Sequence, residues 1–314
     1  MTLLLQYTII FASVLMLVAL GGCFAERSGV INIGLEGIMV IGALGGALVM
    51  KFLPVSVGAP VMVISTIVTA AVFGMLYSLL LAVAAISYKA DQTITGTAMN
   101  ILATAAATVA VKAMNTAASG GNDVSSDIAY THSKDLFLVR LGEFEFNWFM
   151  LVAVICLIAS FVSLYKSKFG LRLRACGEHP QAADSVGINV YKMRYAGVLI
   201  SGLLGGLGGI VYITAGVSVW KFENGVAGFG FLAMAVMIFG GWHPLKIALA
   251  SLLFGFFRAL GNVYSGFDFM LALNIPSVVY NMLPYIISLV VLAFTSKQSQ
   301  GPKAAGIPYD KGTR

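Results

Sequence analysis

The chain has 314 residues, 59% of them hydrophobic and only 10% charged, with a formal net charge of +6. A soluble globular domain carries about 25% charged residues, so this sequence cannot cover its surface with polar groups, and water is not its main solvent. The positive balance does not call for nucleic acid, because basic cytoplasmic loops of a membrane protein produce the same excess.

Charges are absent from residues 1–25, 52–88, 92–111, 146–165, 195–220, 224–245 and 269–296. Spanning a bilayer takes about 20 mainly apolar residues, and these runs meet that length along the whole chain. The alternating segments of about ten residues that a β-barrel needs are missing. The expected fold is therefore all-α, a polytopic transmembrane helical bundle of about nine spans.

The segments fall at roughly 4–24, 30–50, 61–86, 93–113, 148–165, 194–215, 226–241, 245–263 and 277–295. Leu20-Gly21-Gly22-Cys23 superficially resembles a lipoprotein cleavage site. No Lys or Arg precedes it, whereas a signal peptide has a basic start, so it reads as part of a first span. Cys23, Cys156 and Cys176 show no C-x-x-C spacing, so no metal or redox motif follows from them. Two polar loops interrupt the spans. Residues 114–147 hold Asp123, Asp127, Asp135, Glu143 and Glu145 against Lys134 and Arg140. Residues 166–193, with Arg194 just beyond, hold Lys166, Lys168, Arg172, Arg174 and Lys192, and the tail from Lys297 adds Lys303, Lys311 and Arg314.

Lys and Arg collect on the cytoplasmic side. That rule places the 166–193 loop and the C-terminus inside, with the acidic loop and the N-terminus outside; 13 of the 19 Lys and Arg residues then lie inside. Within this order Gly29-Val30-Ile31-Asn32-Ile33-Gly34 recurs as Gly225-Val226-Ala227-Gly228-Phe229-Gly230. The two copies enter the membrane from opposite sides. An inverted 4+1+4 repeat with glycine-broken helices follows: repeat one at 1–113, external loop 114–147, linking span 148–165, cytoplasmic coupling loop 166–193, repeat two at 194–296 and cytoplasmic tail 297–314. Transporters are often built this way, with sites where broken helices meet. The whole of 1–314 reads as a single permease domain.

No G-x-x-x-x-G-K-[ST] phosphate loop is present, so an ATP-driven process would take its ATPase from another chain. His132, His179 and His243 are scattered through loops and form no catalytic pair. Glu36 lies within the second hydrophobic segment, where a charge costs roughly 2.5–3.5 kcal/mol on insertion scales. It reads either as a lining residue of a pathway or as an acceptor for backbone amides freed by the break at Gly34. Asn32, Gln92 and Asn100 open segments and are candidates for a polar route, or for caps and interhelical bonds; Asn224 is a further pathway candidate. In the basic loop, Pro180 is placed to start a short helix and Gly187 to end it. Its seven residues would be only about 10 Å long and would need a packing partner.

These residues resemble a family. Glu26-Arg27-Ser28-Gly29-Val30-Ile31-Asn32-Ile33-Gly34-Leu35-Glu36-Gly37 looks like the signature of ABC importer permeases of the simple-sugar and nucleoside group, related to the ribose and branched-chain amino acid permeases. The stretches 92–100 and 228–245 resemble that group as well. Leu171-Arg172-Leu173-Arg174-Ala175-Cys176-Gly177-Glu178-His179-Pro180-Gln181-Ala182-Ala183 resembles its ATPase-coupling loop, and the nucleoside-uptake branch is most similar. The chain departs from the pattern at Lys246 and in the 114–147 loop. The resemblance implies a multi-pass subunit of a bacterial plasma (inner) membrane importer and a transport role without catalysis on this chain. By the same resemblance no cofactor is expected on this chain, and ATP and Mg are expected on a partner ABC ATPase subunit. A second permease subunit, an external substrate-binding protein or lipoprotein, and membrane lipid complete the partners. The solute is expected to be a nucleoside or similar small polar molecule; simple sugars or branched-chain amino acids are the alternative, and an ion-coupled secondary transporter a more distant one. Arg172, Arg174, Gly177, Glu178, Pro180, Ala182, Ala183 and Gly187 are the expected ATPase-coupling residues, with Cys176 as a native thiol for crosslinking.

Overall fold

The computed structural model describes residues 2–130, 135–141, 144–214, 219–266, 276–295 and 301–311. His132, Lys134, Glu143, Lys297 and Arg314 lie outside them. The order of elements is α1 (Thr2–Arg27), α2 (Leu35–Phe52), α3 (Ala59–Ala82, prolonged by a π-turn over Val83–Ser87) and α4 (Gln92–Ser119), then β1 (Asp127–Ala129), β2 (Leu138–Leu141) and β3 (Phe144–Asn147). There follow α5 (Trp148–Tyr165), α6 (Lys168–Glu178), α7 (Pro180–Ser185), α8 (Val190–Thr214), β4 (Val219–Lys221), α9 (Phe229–Phe239), α10 (Pro244–Val263) and α11 (Ser277–Thr295).

Among the described residues, seven helices are long and apolar enough to cross a membrane: α1, α2, α3 with its π-turn, α4, α5, α8 and α10. The segment expected at 226–241 is shorter than a span. Its helix α9 has 11 residues, about 16 Å at 1.5 Å per residue, against a hydrocarbon thickness of about 30 Å. The segment expected from residue 30 becomes helical only at Leu35, because residues 28–34 leave the helical path after α1.

The centre of the bundle is the pair α1 and α8. α1 packs on α8, α9 and α10, while α8 packs on α1, α2 and α3. α2 touches α3 and α4, and α9 touches α10 and α11. Exchanging α1 with α8, α2 with α9, α3 with α10 and α4 with α11 converts one set of neighbours into the other. Small residues allow this closeness. A Cβ on Gly206 of α8 would run into the backbone of Ala70 and Gly74 of α3, and one on Gly209 into the backbone of Met39. In lipid, such close backbone approach replaces the hydrophobic driving force that packs helices in water. Outward faces are apolar instead: Ile64, Ile101 and Ile158 are more than half exposed.

The loops sort to two ends. At one end, Lys51 bonds Asn115, Asn115 bonds Ser125 and Asp127, and β1 pairs antiparallel with β4. The β2–β3 hairpin adds a second ladder, so the 114–147 stretch carries short strands within an otherwise helical chain. At the other end lie residues 26–32, 88–91, the basic α6–α7 segment, residues 242–243 and the tail, joined by contacts such as Arg27 to Glu178 at 3.6 Å and Lys89 to Asp310 at 2.9 Å. Helix α1 starts at the acidic end and finishes at the basic one, where its Cys23 and Arg27 reach the Trp242 carbonyl.

Gly206→Val is expected to push α8 off α3 and to lower the melting temperature or abundance of the detergent-extracted protein, since overpacking costs about 1–3 kcal/mol. Gly266→Ala, whose Cβ would meet only Val263 at an ordinary 3.7 Å, should be neutral. Equal behaviour of the two variants would refute the packing argument.

Candidate translocation path and coupling surface

The amides of Ser28, Gly29 and Val30 still bond carbonyls at the end of α1; from there to Leu35 the chain leaves the helical path, and its buried backbone groups need protein partners. Side chains from distant helices supply them. Gln92, the first residue of α4, accepts from the Ile31 amide at 2.7 Å. One turn pair further along the same helix, Asn100 accepts from the Gly37 amide at 2.8 Å and donates to the Ile33 carbonyl at 3.0 Å. Asn32, almost fully buried, donates to the Ser201 hydroxyl of α8 at 2.8 Å. Gln92 and Asn100 sit eight residues apart, on one face of α4, which is why one helix can stitch both sides of the break.

Glu36 joins this break to the second one. Its carboxylate accepts from the amides of Gly228 at 2.7 Å and Gly230 at 2.6 Å. Those amides belong to the N-terminus of α9, where the first N–H groups lack helical partners and the dipole favours an anion. Of the two sequence readings of Glu36, the amide acceptor is the one seen, but the amides are those of the second break, 192 residues away. Asn32, Glu36, Gln92 and Asn100 therefore form one network. Asn224 does not join it. It is exposed in the turn before α9, beside the ion pair of Glu223 with Lys112.

A neighbouring cluster carried no signal in the sequence beyond the rarity of a charge in a span. Arg258 of α10 lies over the rings of Phe229 (5.3 Å) and Phe11 (5.9 Å). Tyr212 packs on Phe229 at 4.4 Å, and the Tyr285 hydroxyl donates to the Ala227 carbonyl at 3.2 Å. Aromatic rings and a guanidinium thus surround the start of α9, and the ring faces offset part of the hydration that Arg258 gives up.

At the basic end the short helix over Pro180–Ser185 forms as the residues predict, and Gly187 follows it with φ 83°. The coupling candidates divide into two groups. Arg172, Ala182 and Gly187 are exposed. Arg174 stacks on Tyr165 at 4.6 Å, Glu178 pairs with Arg27, and Gly177 abuts the Arg27 carbonyl so closely that no side chain fits. Pro180 and Ala183 are buried, Ala183 against Cys176 and Tyr309. Cys176 is a poor crosslinking handle: it is fully buried, and burial pushes its thiol up to about 11. His243 packs against Tyr165 at 4.8 Å, and burial lowers its pKa from the usual histidine range.

The family model for the branched-chain amino acid transport system / permease component matches residues 4–294. The chain is 41% identical to the guanosine ABC transporter permease protein NupQ of Bacillus subtilis (strain 168), over 100% of this chain and 98% of the relative. This chain belongs to that permease family. It is also 38% identical to the nucleoside ABC transporter permease protein NupC of Lactococcus lactis subsp. cremoris (strain MG1363), over 96% of this chain and 95% of the relative. A permease of this kind is a multi-pass membrane protein and a transport subunit rather than an enzyme.

Two outcomes follow from the permease geometry. Asn100→Ala should leave the Gly37 amide and the Ile33 carbonyl without partners, at about 1–3 kcal/mol per buried group. Its thermal stability in detergent should fall clearly, while Asn224→Ala should match the wild type; identical melting of the two variants would contradict the network. In membranes at neutral pH, Cys176 should stay unlabelled by maleimide, because its thiol is protonated and covered, whereas a thiol from Val186→Cys, at a position 74% exposed, should label fully. Ready labelling of Cys176 would show that the basic end is packed differently.

Proposed function

We propose that this chain forms half of the translocation path of an ATP-driven importer for a nucleoside or a similarly polar, uncharged solute. The observation that carries the reading is the network at the two broken segments. Asn32, Gln92 and Asn100 are neutral hydrogen-bonding groups, and the carboxylate of Glu36 is already committed to backbone amides. In this structure the three amides are bonded within the chain; in the proposed cycle alternating access turns them toward the solute, as hydrogen-bonding groups without a free countercharge. The two relatives, a guanosine permease and a nucleoside permease, point the same way.

In this reading the partners are a second permease chain, a pair of ABC ATPase subunits that hold ATP and Mg, and an external binding protein or lipoprotein that delivers the solute. The basic end, with α6 and α7, faces the cytoplasm and the ATPase, since Lys and Arg favour that side. The acidic end, with the start of α1 and the β-ladders, faces outward. The exchange of neighbours about α1 and α8 supports an inverted repeat with α5 as the link. The breaks at 28–34 and 225–228 are its related elements, and the half-length helix α9 follows the second of them.

The test is uptake in cells that carry this chain with its partner subunits. Labelled guanosine and other nucleosides are expected to enter in an ATP-dependent manner, whereas ribose and leucine are not. Uptake of a sugar or an amino acid with nucleosides ignored, or uptake that survives loss of the ATPase subunit, would overturn the reading.

A further inference from the structure

The tail is built into the basic end. The Ala304 amide donates to the Gly177 carbonyl at 2.8 Å, tying the tail to the end of α6. The buried Arg194 of α8 donates through Nη1 to the Ile307 carbonyl at 2.9 Å. Tyr309 is 4% exposed, sits edge-on to Tyr191 at 5.3 Å and lines a groove together with Asp184 of α7. Asp310 pairs with Lys89 at 2.9 Å, just before α4. Between α7 and this tail runs a groove of about 420 Å³, lined by Gln181, Ala182, Asp184, Ser185, Tyr309, Asp310 and Lys311. It brings two carboxylates together on an end otherwise rich in Lys and Arg.

We propose that residues 301–311 are the second half of the ATPase-docking surface, and that the groove between them and α7 receives a short polar segment of the ATPase subunit carrying a basic side chain. This rests on the permease reading above. The groove is continuous with the exposed face of α7, so whatever covers Ala182 and Val186 also reaches the tail. Asp184, Ser185 and Gln181 present acceptors, Asp310 is paired with Lys89 at the groove's edge, and Lys311 is the one cation among the lining residues. A volume of about 420 Å³ exceeds one side chain and suits a side chain with the turn that bears it. A charge-assisted contact here would be read as a position-specific bond, while Arg194 and Tyr309 hold the tail wall in place from behind.

The experiment uses the complete transporter in membranes, with four variants of this chain. Val186→Cys marks α7, Lys311→Cys marks the tail, and both are treated with a short thiol–amine crosslinker. Both are expected to capture the ATPase subunit. Capture from Val186→Cys alone overturns the role of the tail and leaves α7 docking intact; capture from neither overturns the docking reading as a whole. The third variant, Asp310→Lys, reverses a groove charge. It should reduce ATPase co-purification about tenfold at unchanged permease abundance, with weaker loss of uptake at raised ATPase expression. Lys89→Ala breaks the same internal ion pair without placing a cation in the groove, and should co-purify normally. If Asp310→Lys and Lys89→Ala lose the ATPase equally, the tail only supports the fold and the proposal fails.

Discussion

A backbone that leaves the helix where the bundle buries it has no water to turn to. Each freed amide or carbonyl there costs several kcal/mol unless protein supplies a partner. Everything central to this permease answers that demand. Residues 28–34 break the path between α1 and α2, and Gln92, Asn100 and Ser201 come from two other helices to meet them. The start of α9 exposes its own amides, and Glu36 reaches across to bind them. The acid carries its charge at a costly depth, yet it spends that charge on amides and a helix dipole rather than leaving it open.

That solution constrains the packing around it. Glu36 sits near the start of α2 and its partners near the start of α9, so the two broken segments must lie side by side. They do so because α8 approaches its neighbours closely: a Cβ on Gly21 of α1 would meet the Ser201 carbonyl and one on Gly208 would meet Val18 of α1, while Gly206 and Gly209 admit the backbone of α3 and α2. Closeness of the central pair and satisfaction of the breaks are therefore one requirement. Loosening α8 would also carry Ser201 away from Asn32.

Much of this was legible in the sequence, for a definite reason. Spans announce themselves through length and absence of charge, and the breaks through glycine and asparagine in otherwise apolar runs. The Pro180 start and Gly187 stop are local signals, and the helix between them formed where they point. What stayed illegible depends on partners far along the chain. Glu36 looks like an isolated charge until Gly228 and Gly230, almost 200 positions later, are placed beside it. Asn224 resembles its fellow polar residues in type, but its turn carries it to an exposed site. The β1–β4 pair joins Asp127 with Lys221, and three-residue strands leave no periodicity to read. Ala183 and Cys176 looked like surface residues of a loop because the tail that buries them lies some 125 residues downstream.

Arg194 shows most sharply why the tail had to be part of the account. It is 1% exposed, and its Nε and Nη2 find no hydrogen-bond partner among the described residues. A guanidinium cannot shed its charge at physiological pH, so burial must be offset by what remains. What remains is the Ile307 carbonyl, the Tyr309 ring at 6.0 Å and the close edge of Gly29. Removing the tail would strip two of these three contacts and uncover the guanidinium beside the first broken segment. The same side chain thus touches the loop that the membrane constraint shapes and the tail that borders α7. The basic end is held as one body through a charge that only the assembled chain can tolerate.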